Sequence, residues 1–162
     1  MEIKEKLEKL LTEQFPGTSF EITEFRDEVT LKFNRSVVVP VCEFLKNNSE
    51  LEYNQCVDVT AIDWAKKKNR FTVVYHLFSI KNKNRLRVSC DLEEHEPHIN
   101  TVSSVWKSAN WYERETWDMY GIKFDGHPDL RRMYMSEEFE YHPLRKEYPL
   151  MGIPGDQPLP KK

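Results

Sequence analysis

A chain of 162 residues has the length of one domain with a sizeable core, since a domain of about this size buries roughly 68 to 70% of its unfolded surface. Charged residues make up 31% with both signs mixed and a net charge of −3, which excludes the overall basic field that captures nucleic acid or an anionic membrane. Three scattered cysteines, Cys42, Cys56 and Cys90, form neither a disulfide framework nor a CxxC metal site and indicate a reducing compartment.

Ile3, Leu7, Leu10 and Leu11 recur at helical spacing and Pro16-Gly17 stops them, which predicts a short amphipathic opening helix. The first residues, MEIKEKLEKLL, interleave charge with apolar side chains and so lack the apolar run of a signal peptide. No later stretch approaches the about 18 apolar residues of a membrane span. Phe20 and Ile22 alternate with polar neighbours, residues 26–28 suit a turn, and Val29, Leu31 and Phe33 alternate with Glu28, Thr30, Lys32 and Asn34. This predicts a hairpin with one wet face. Val41, Phe44 and Leu45 predict a second helix broken at 47–49, and a strand-like stretch runs from Leu51 to about Trp64.

RFTVVYHLFSI at 70–80 is apolar on both faces and β-rich, as a central strand should be. After a turn at 82–84, Leu86, Val88, Cys90 and Leu92 point one way while Arg85, Arg87, Ser89 and Asp91 point the other. From Pro97 onward a helical pattern returns. ANWYERETWDMYG at 109–121 reads as a full helix, with Ser108 as N-cap and Gly121 as left-handed terminator. The order α-β-β-α-β-β-β-α predicts an α+β two-layer domain over residues 1–121, with helices packed on a mostly antiparallel mixed sheet. Residues 122–162 follow as an extended tail.

On the 109–121 helix, Trp111, Glu115 and Asp118 share a stripe, with Arg114 four residues before Asp118. Two carboxylates three residues apart suit acid–base or metal chemistry, yet neither a histidine nor a second helix completes a carboxylate-bridged site. An ion-pair network completed by Arg131, Arg132 or a partner is the expected role. DLEEHEPH at 91–98 gathers zinc-ligand types, but Pro97 blocks a helix that would join His95 to His98, so a strand-to-helix loop is expected there. The five glycines form neither a GxGxxG nor a P-loop, and no nucleophile pairs with a base. No cofactor and no catalytic residue is expected in this chain.

GHPDLRRMYMSEEFEYHPLRKEYPL at 126–150 says nearly the same thing twice, as HPDLRR at 127–132 and HPLRK at 142–146. Neither copy has a helical or strand period, and prolines 128, 143 and 149 remove donors and fix φ, so the segment reads as extended chain that needs a surface to lie on. Its aromatic, Met and Arg enrichment, including Tyr134, Phe139, Tyr141 and Tyr148, is that of an interface core.

At these residues the chain becomes recognisable. NWYERETWDMYGIKFDGHPDLRRMYM at 110–135, followed by HPLRKEYPL at 142–150, closely resembles the signature of the 30-kDa subunit family of proton-pumping NADH:quinone oxidoreductase, respiratory complex I. RFTVVYHLFSIKNKNRLRVSC and SVWKSANW are also similar to that family. The resemblance implies a peripheral-arm subunit at the cytoplasmic face of the bacterial inner membrane, with no redox centre of its own. FMN and iron–sulfur clusters would lie in partner subunits. This chain would pack chiefly against the large quinone-site subunit, and also against the second subunit that helps to form that site.

In that setting Glu113, Arg114, Glu115 and Asp118 are expected to hold the root of the tail. His127, Leu130, Arg131 and Arg132, then His142, Leu144, Arg145 and Tyr148, are expected to staple it to a partner, Leu as apolar anchor and Arg as bidentate donor. The equivalent subunit of a related membrane-bound hydrogenase or ferredoxin-dependent complex is an alternative, and so is a free-standing binding adaptor.

Overall fold

In the computed structural model, which describes residues 3–65 and 67–148, the chain opens with α1 (Ile3–Gln14), β1 (Glu21–Phe25), β2 (Glu28–Lys32), a 3-10 turn (Arg35–Val37) and α2 (Val38–Asn47). It continues through β3 (Gln55–Asp63), β4 (Phe71–Ser79), β5 (Asn84–Leu92), β6 (His98–Asn100), α3 (Ala109–Tyr120) and β7 (Lys123–Asp125). Five strands form one sheet in the order β1-β2-β5-β4-β3, antiparallel except where β2 runs parallel to β5. The fold is α+β and mostly antiparallel, as the pattern predicts.

Strict alternation decides which face of the sheet is dry. Val29 and Leu31 of β2, Leu86, Val88, Cys90 and Leu92 of β5, Val73, Tyr75 and Leu77 of β4, and Val59 and Ala61 of β3 point to one side and are buried. Leu7 and Leu11 of α1, Val38, Val41, Cys42 and Leu45 of α2, and Ala109 of α3 share that core. Each such aliphatic side chain contributes about 1.5 to 3 kcal/mol on burial. β4 is central and buries Thr72 and Val74 on its other face as well. The β1–β2 hairpin closes through Arg26 and Asp27, both left-handed at φ 51° and 64°, the two-residue turn whose twist matches that of the strands.

Three expectations are corrected. The stretch after Pro97 is not yet helical: residues 98–100 form β6, which pairs in parallel with β7, a partner too distant in sequence for a local period to show. Ser108 does not cap α3; its φ of −64° and ψ of −31° are already helical, and its hydroxyl donates instead to the Cys56 carbonyl at 2.8 Å. The folded body also runs past Gly121, because Ile122 and Phe124 are 0% and 1% exposed, and irregular chain begins at Gly126. Pro149, Leu150 and Met151 of the expected tail lie outside the described residues. No described helix is long and apolar enough to cross a membrane.

Candidate functional site

α3 buries four polar side chains, Glu113, Arg114, Thr116 and Asp118, and buried polar groups require partners. Thr116 donates to the Val59 carbonyl of β3 at 2.8 Å, which seats the helix on the sheet. Glu113 accepts from the Val102 N–H at 2.7 Å and from the Thr101 hydroxyl. Arg114 stacks over Trp111 with its guanidinium carbon 4.8 Å from the ring centre, and donates to the carbonyls of Arg131 and Arg132 at 3.2 Å each.

Asp118 is the centre of the arrangement. One carboxylate oxygen accepts three successive N–H groups, from Met133 at 3.0 Å, Tyr134 at 2.7 Å and Met135 at 3.0 Å, and the other takes the Arg132 guanidinium at 2.7 Å. Consecutive amides turned onto one anion form a nest of the kind that cradles phosphates, here filled by the chain's own side chain. Burial alone would raise the Asp118 carboxyl, but the three N–H bonds and Arg132 together hold it below its ordinary value.

The two His-Pro motifs bracket α3. His127 of the first reaches the Asn110 carbonyl in the first turn, Nε2 at 3.0 Å. His142 of the second donates from Nδ1 to the Asp118 carbonyl at 3.0 Å in the last turn. Burial holds both imidazoles below their ordinary value.

A helix leaves its last four carbonyls without intrahelical partners. In α3, Trp117 takes the Gly121 N–H at 2.8 Å, Asp118 takes His142, Met119 takes the Leu144 N–H at 3.1 Å and Tyr120 takes Arg145 Nε at 2.6 Å. All four are satisfied, three of them by the second motif. Gly121 is required twice over: its φ is +73°, and an added Cβ would meet the His142 ring at 2.5 Å and the Arg145 guanidinium at 2.6 Å.

The expected root residues therefore separate. Arg114 and Asp118 hold the tail, Glu113 holds the 101–102 loop beside His127, and Glu115 is half-buried with no polar partner among the described residues. Of the motif residues, Leu130 packs on the core. Arg131 is 67% exposed and, among the described residues, pairs only with Asp129, at 3.0 Å. Leu144 faces outward, and Tyr148 stacks edge-on against Tyr141 at 5.6 Å.

The end of the tail meets a site that sequence reasoning missed. Asp63 and Arg70, at the loop end of the β3–β4 hairpin, form a two-bond pair at 3.0 Å each. Asp63 also accepts the Lys146 N–H at 2.8 Å, and Arg70 binds Glu147 and Glu94. Burial would raise Asp63, but the Arg70 guanidinium and the Lys146 and Ala65 N–H groups lower it to about 2. The available signal was a carboxylate at an inward strand position, two residues on from Ala61. Among the described residues no three His, Cys, Asp or Glu side chains converge to hold a metal ion.

A family model described as respiratory-chain NADH dehydrogenase, 30 Kd subunit, matches residues 31–154, a span that takes in the main sheet from the end of β2 on, α3 and both motifs. An NADH-quinone oxidoreductase subunit of Geobacter metallireducens is 50% identical over 149 residues, 91% of this chain and 90% of that protein. The mitochondrial NADH-ubiquinone oxidoreductase 30.4 kDa subunit of Neurospora crassa is 43% identical over 128 residues, 79% of this chain and 45% of that one. Among solved structures, the trypsin-resistant fragment of Nqo5 superposes with a TM-score of 0.61 at 30% identity, covering 77% of this chain and 99% of the fragment. A chain of an archaeal membrane-bound sulfane sulfur reductase has a TM-score of 0.76 at 20% identity, covering 93% and 88%, a likeness of fold alone.

Proposed function

The chain belongs to the respiratory-chain NADH dehydrogenase 30-kDa subunit family, and on that premise we propose that it works as a non-redox peripheral-arm subunit of an NADH:quinone oxidoreductase, bracing the subunits that form the quinone site. FMN and iron–sulfur clusters lie in partner subunits, and electrons pass from NADH to quinone without stopping on this chain. Its neighbours are the large quinone-site subunit and the second subunit that helps to form that site, at the cytoplasmic face of a bacterial inner membrane. The observation that carries this reading is the extent of the likeness to the Geobacter subunit, nine-tenths of both chains at 50% identity.

The geometry supports a mechanical role. Buried Asp118 and Arg114 need the tail seated on α3, so the tail's outer surface is set before a partner arrives, and a preorganised surface binds at a lower entropic cost. The test compares tagged full-length chain with a version ending at Gly126, cut beyond Phe124 so that β7 is kept. Solubilised from membranes, the full-length chain is expected to bring down flavin and iron–sulfur subunits with NADH-to-quinone activity, and the shortened chain neither. An active assembly on the shortened chain would defeat bracing by the tail and leave family membership standing. Absence of those subunits from the full-length preparation would defeat the subunit reading itself.

A further inference from the structure

The histidines, Arg132 and Arg145 of the two His-Pro motifs are consumed internally, so other side chains face outward on this flank. Trp111 is 58% exposed, Tyr134 60% and Leu144 51%. α3 sets their spacing. Trp111 is in its first turn; Tyr134 is held by its own N–H bond at Asp118, seven residues and about 10 Å further along the same stripe; the Leu144 N–H bond to Met119 fixes it at the helix end. Isolated exposed apolar residues are ordinary. A row of large ones fixed by backbone hydrogen bonds, with exposed Arg131 beside it, has the composition and rigidity of a binding hot spot.

Charge indicates what covers the row. Glu115 follows Trp111 by one helical turn, Glu137, Glu138 and Glu140 lie between Tyr134 and Leu144 in the chain, and none has an ion-pair partner among the described residues, whereas Arg132 and Arg145 are already committed to Asp118 and the Tyr120 carbonyl. The opposite face of the sheet also exposes apolar side chains, Phe25 and Trp64 among them. There the charges answer one another across strands, Arg87 to Glu28 at 2.6 Å and Lys32 to Asp91 at 2.8 Å, and Lys67 and Arg26 cover the Trp64 and Phe25 rings at 3.9 and 5.2 Å.

Resting on the subunit reading above, we infer that the α3 flank is the docking surface for a sister subunit that offers an apolar cleft with a basic rim. Trp111, Tyr134 and Leu144 are its anchors, and His127, Arg132, His142 and Arg145 position them from within the fold.

The test uses the tagged full-length chain captured with its assembly. Leu144→Ala alone is expected to keep the melting temperature of the isolated chain within about 2 °C, as exposed positions do, and Trp111→Ala combined with Tyr134→Ala to lower it by no more than about 4 °C, since the Trp111 ring also covers Arg114. Capture of sister subunits by the double variant should weaken by about thirty-fold, the size of one hot-spot loss. Glu137→Lys with Glu138→Lys should weaken capture at low salt and less so at high salt. Phe25→Ala with Trp64→Ala should leave capture unchanged. The inference is overturned if the anchor variants capture as well as the parent, if the Phe25 and Trp64 variant loses capture instead, or if the anchor variants fail to fold. A parent chain that captures nothing is the separate failure of the subunit reading.

Discussion

Glu113 has no exposed surface, and what faces it is nearly all neutral: the Thr101 hydroxyl and Val102 N–H from the loop, Cys42 of α2, Cys56 of β3, Tyr75 of β4 and the buried His127 ring at 3.9 Å. Burial disfavours its anion more than the two hydrogen bonds favour it, so the carboxyl is pushed up to about 7. His127 offers no compensating charge: burial holds it below its ordinary value, its Nδ1 accepts the Asp129 N–H, and its Nε2 proton goes to the Asn110 carbonyl.

In the unfolded chain Glu113 titrates near 4.5, so the folded state holds the proton more tightly. Its contribution to stability is complete below about 4.5 and drains away as pH rises through 7, by about 3 kcal/mol in all. Glu113→Gln keeps an acceptor for Val102 and gives Thr101 a donor. Between pH 5 and 8 the melting temperature of the parent should therefore fall by about 6 to 12 °C relative to the Gln variant, followed by calorimetry. Parallel pH courses for the two proteins would remove Glu113 as the titrating group.

At the scale of elements, α3 and the tail behave as one unit with two chain segments. Asp118→Ala strands Arg132, whose side chain is 11% exposed, and leaves three amides without an acceptor. Breaking a buried pair of this kind costs about 3 to 5 kcal/mol. Hydrogen exchange on the isolated chain should show the amides of Met133, Tyr134 and Met135 protected in the parent and unprotected in the variant. If those amides already exchange freely in the parent, the tail is not seated before assembly.

Half of this unit was legible in the sequence. The helix, its Gly121 terminator and an Asp118 network completed by Arg131, Arg132 or a partner follow from local period and charge, and the fold selects Arg132. An extended segment that needs a surface was legible as well. Which surface was not legible, because extended chain sends its hydrogen bonds sideways to groups remote in sequence and leaves no periodic trace of them. His127 on the Asn110 carbonyl, His142 on the Asp118 carbonyl and Lys146 on Asp63 join residues 17, 24 and 83 apart. Hence the repeated motif reads as a pair of staples, while the chain's own helix as the stapled object emerges only from the fold.

For the whole molecule, connectivity ranks the contacts by the loops they close. β3, β4 and β5 are joined by short turns, whereas Arg87 of β5 meets Thr30 of β2 across 57 residues, and the tail reaches Asp63 across 83. Loop closure must precede the reward of a distant contact, so pairings of high separation form late. The β3–β4–β5 meander is then the nucleus, and the β1–β2 hairpin joins it by parallel pairing afterwards. The tail settles last and opens first, which puts it at the low-stability end of the fold. Leu77→Ala in β4 and Leu31→Ala in β2 remove equally buried side chains, 1% and 0% exposed, each at about 2 to 5 kcal/mol. Stopped-flow chevrons should show Leu77→Ala chiefly slowing folding and Leu31→Ala chiefly speeding unfolding. If Leu31→Ala slows folding as much as Leu77→Ala does, the hairpin belongs to the nucleus, and the tail then settles on a sheet that is already complete.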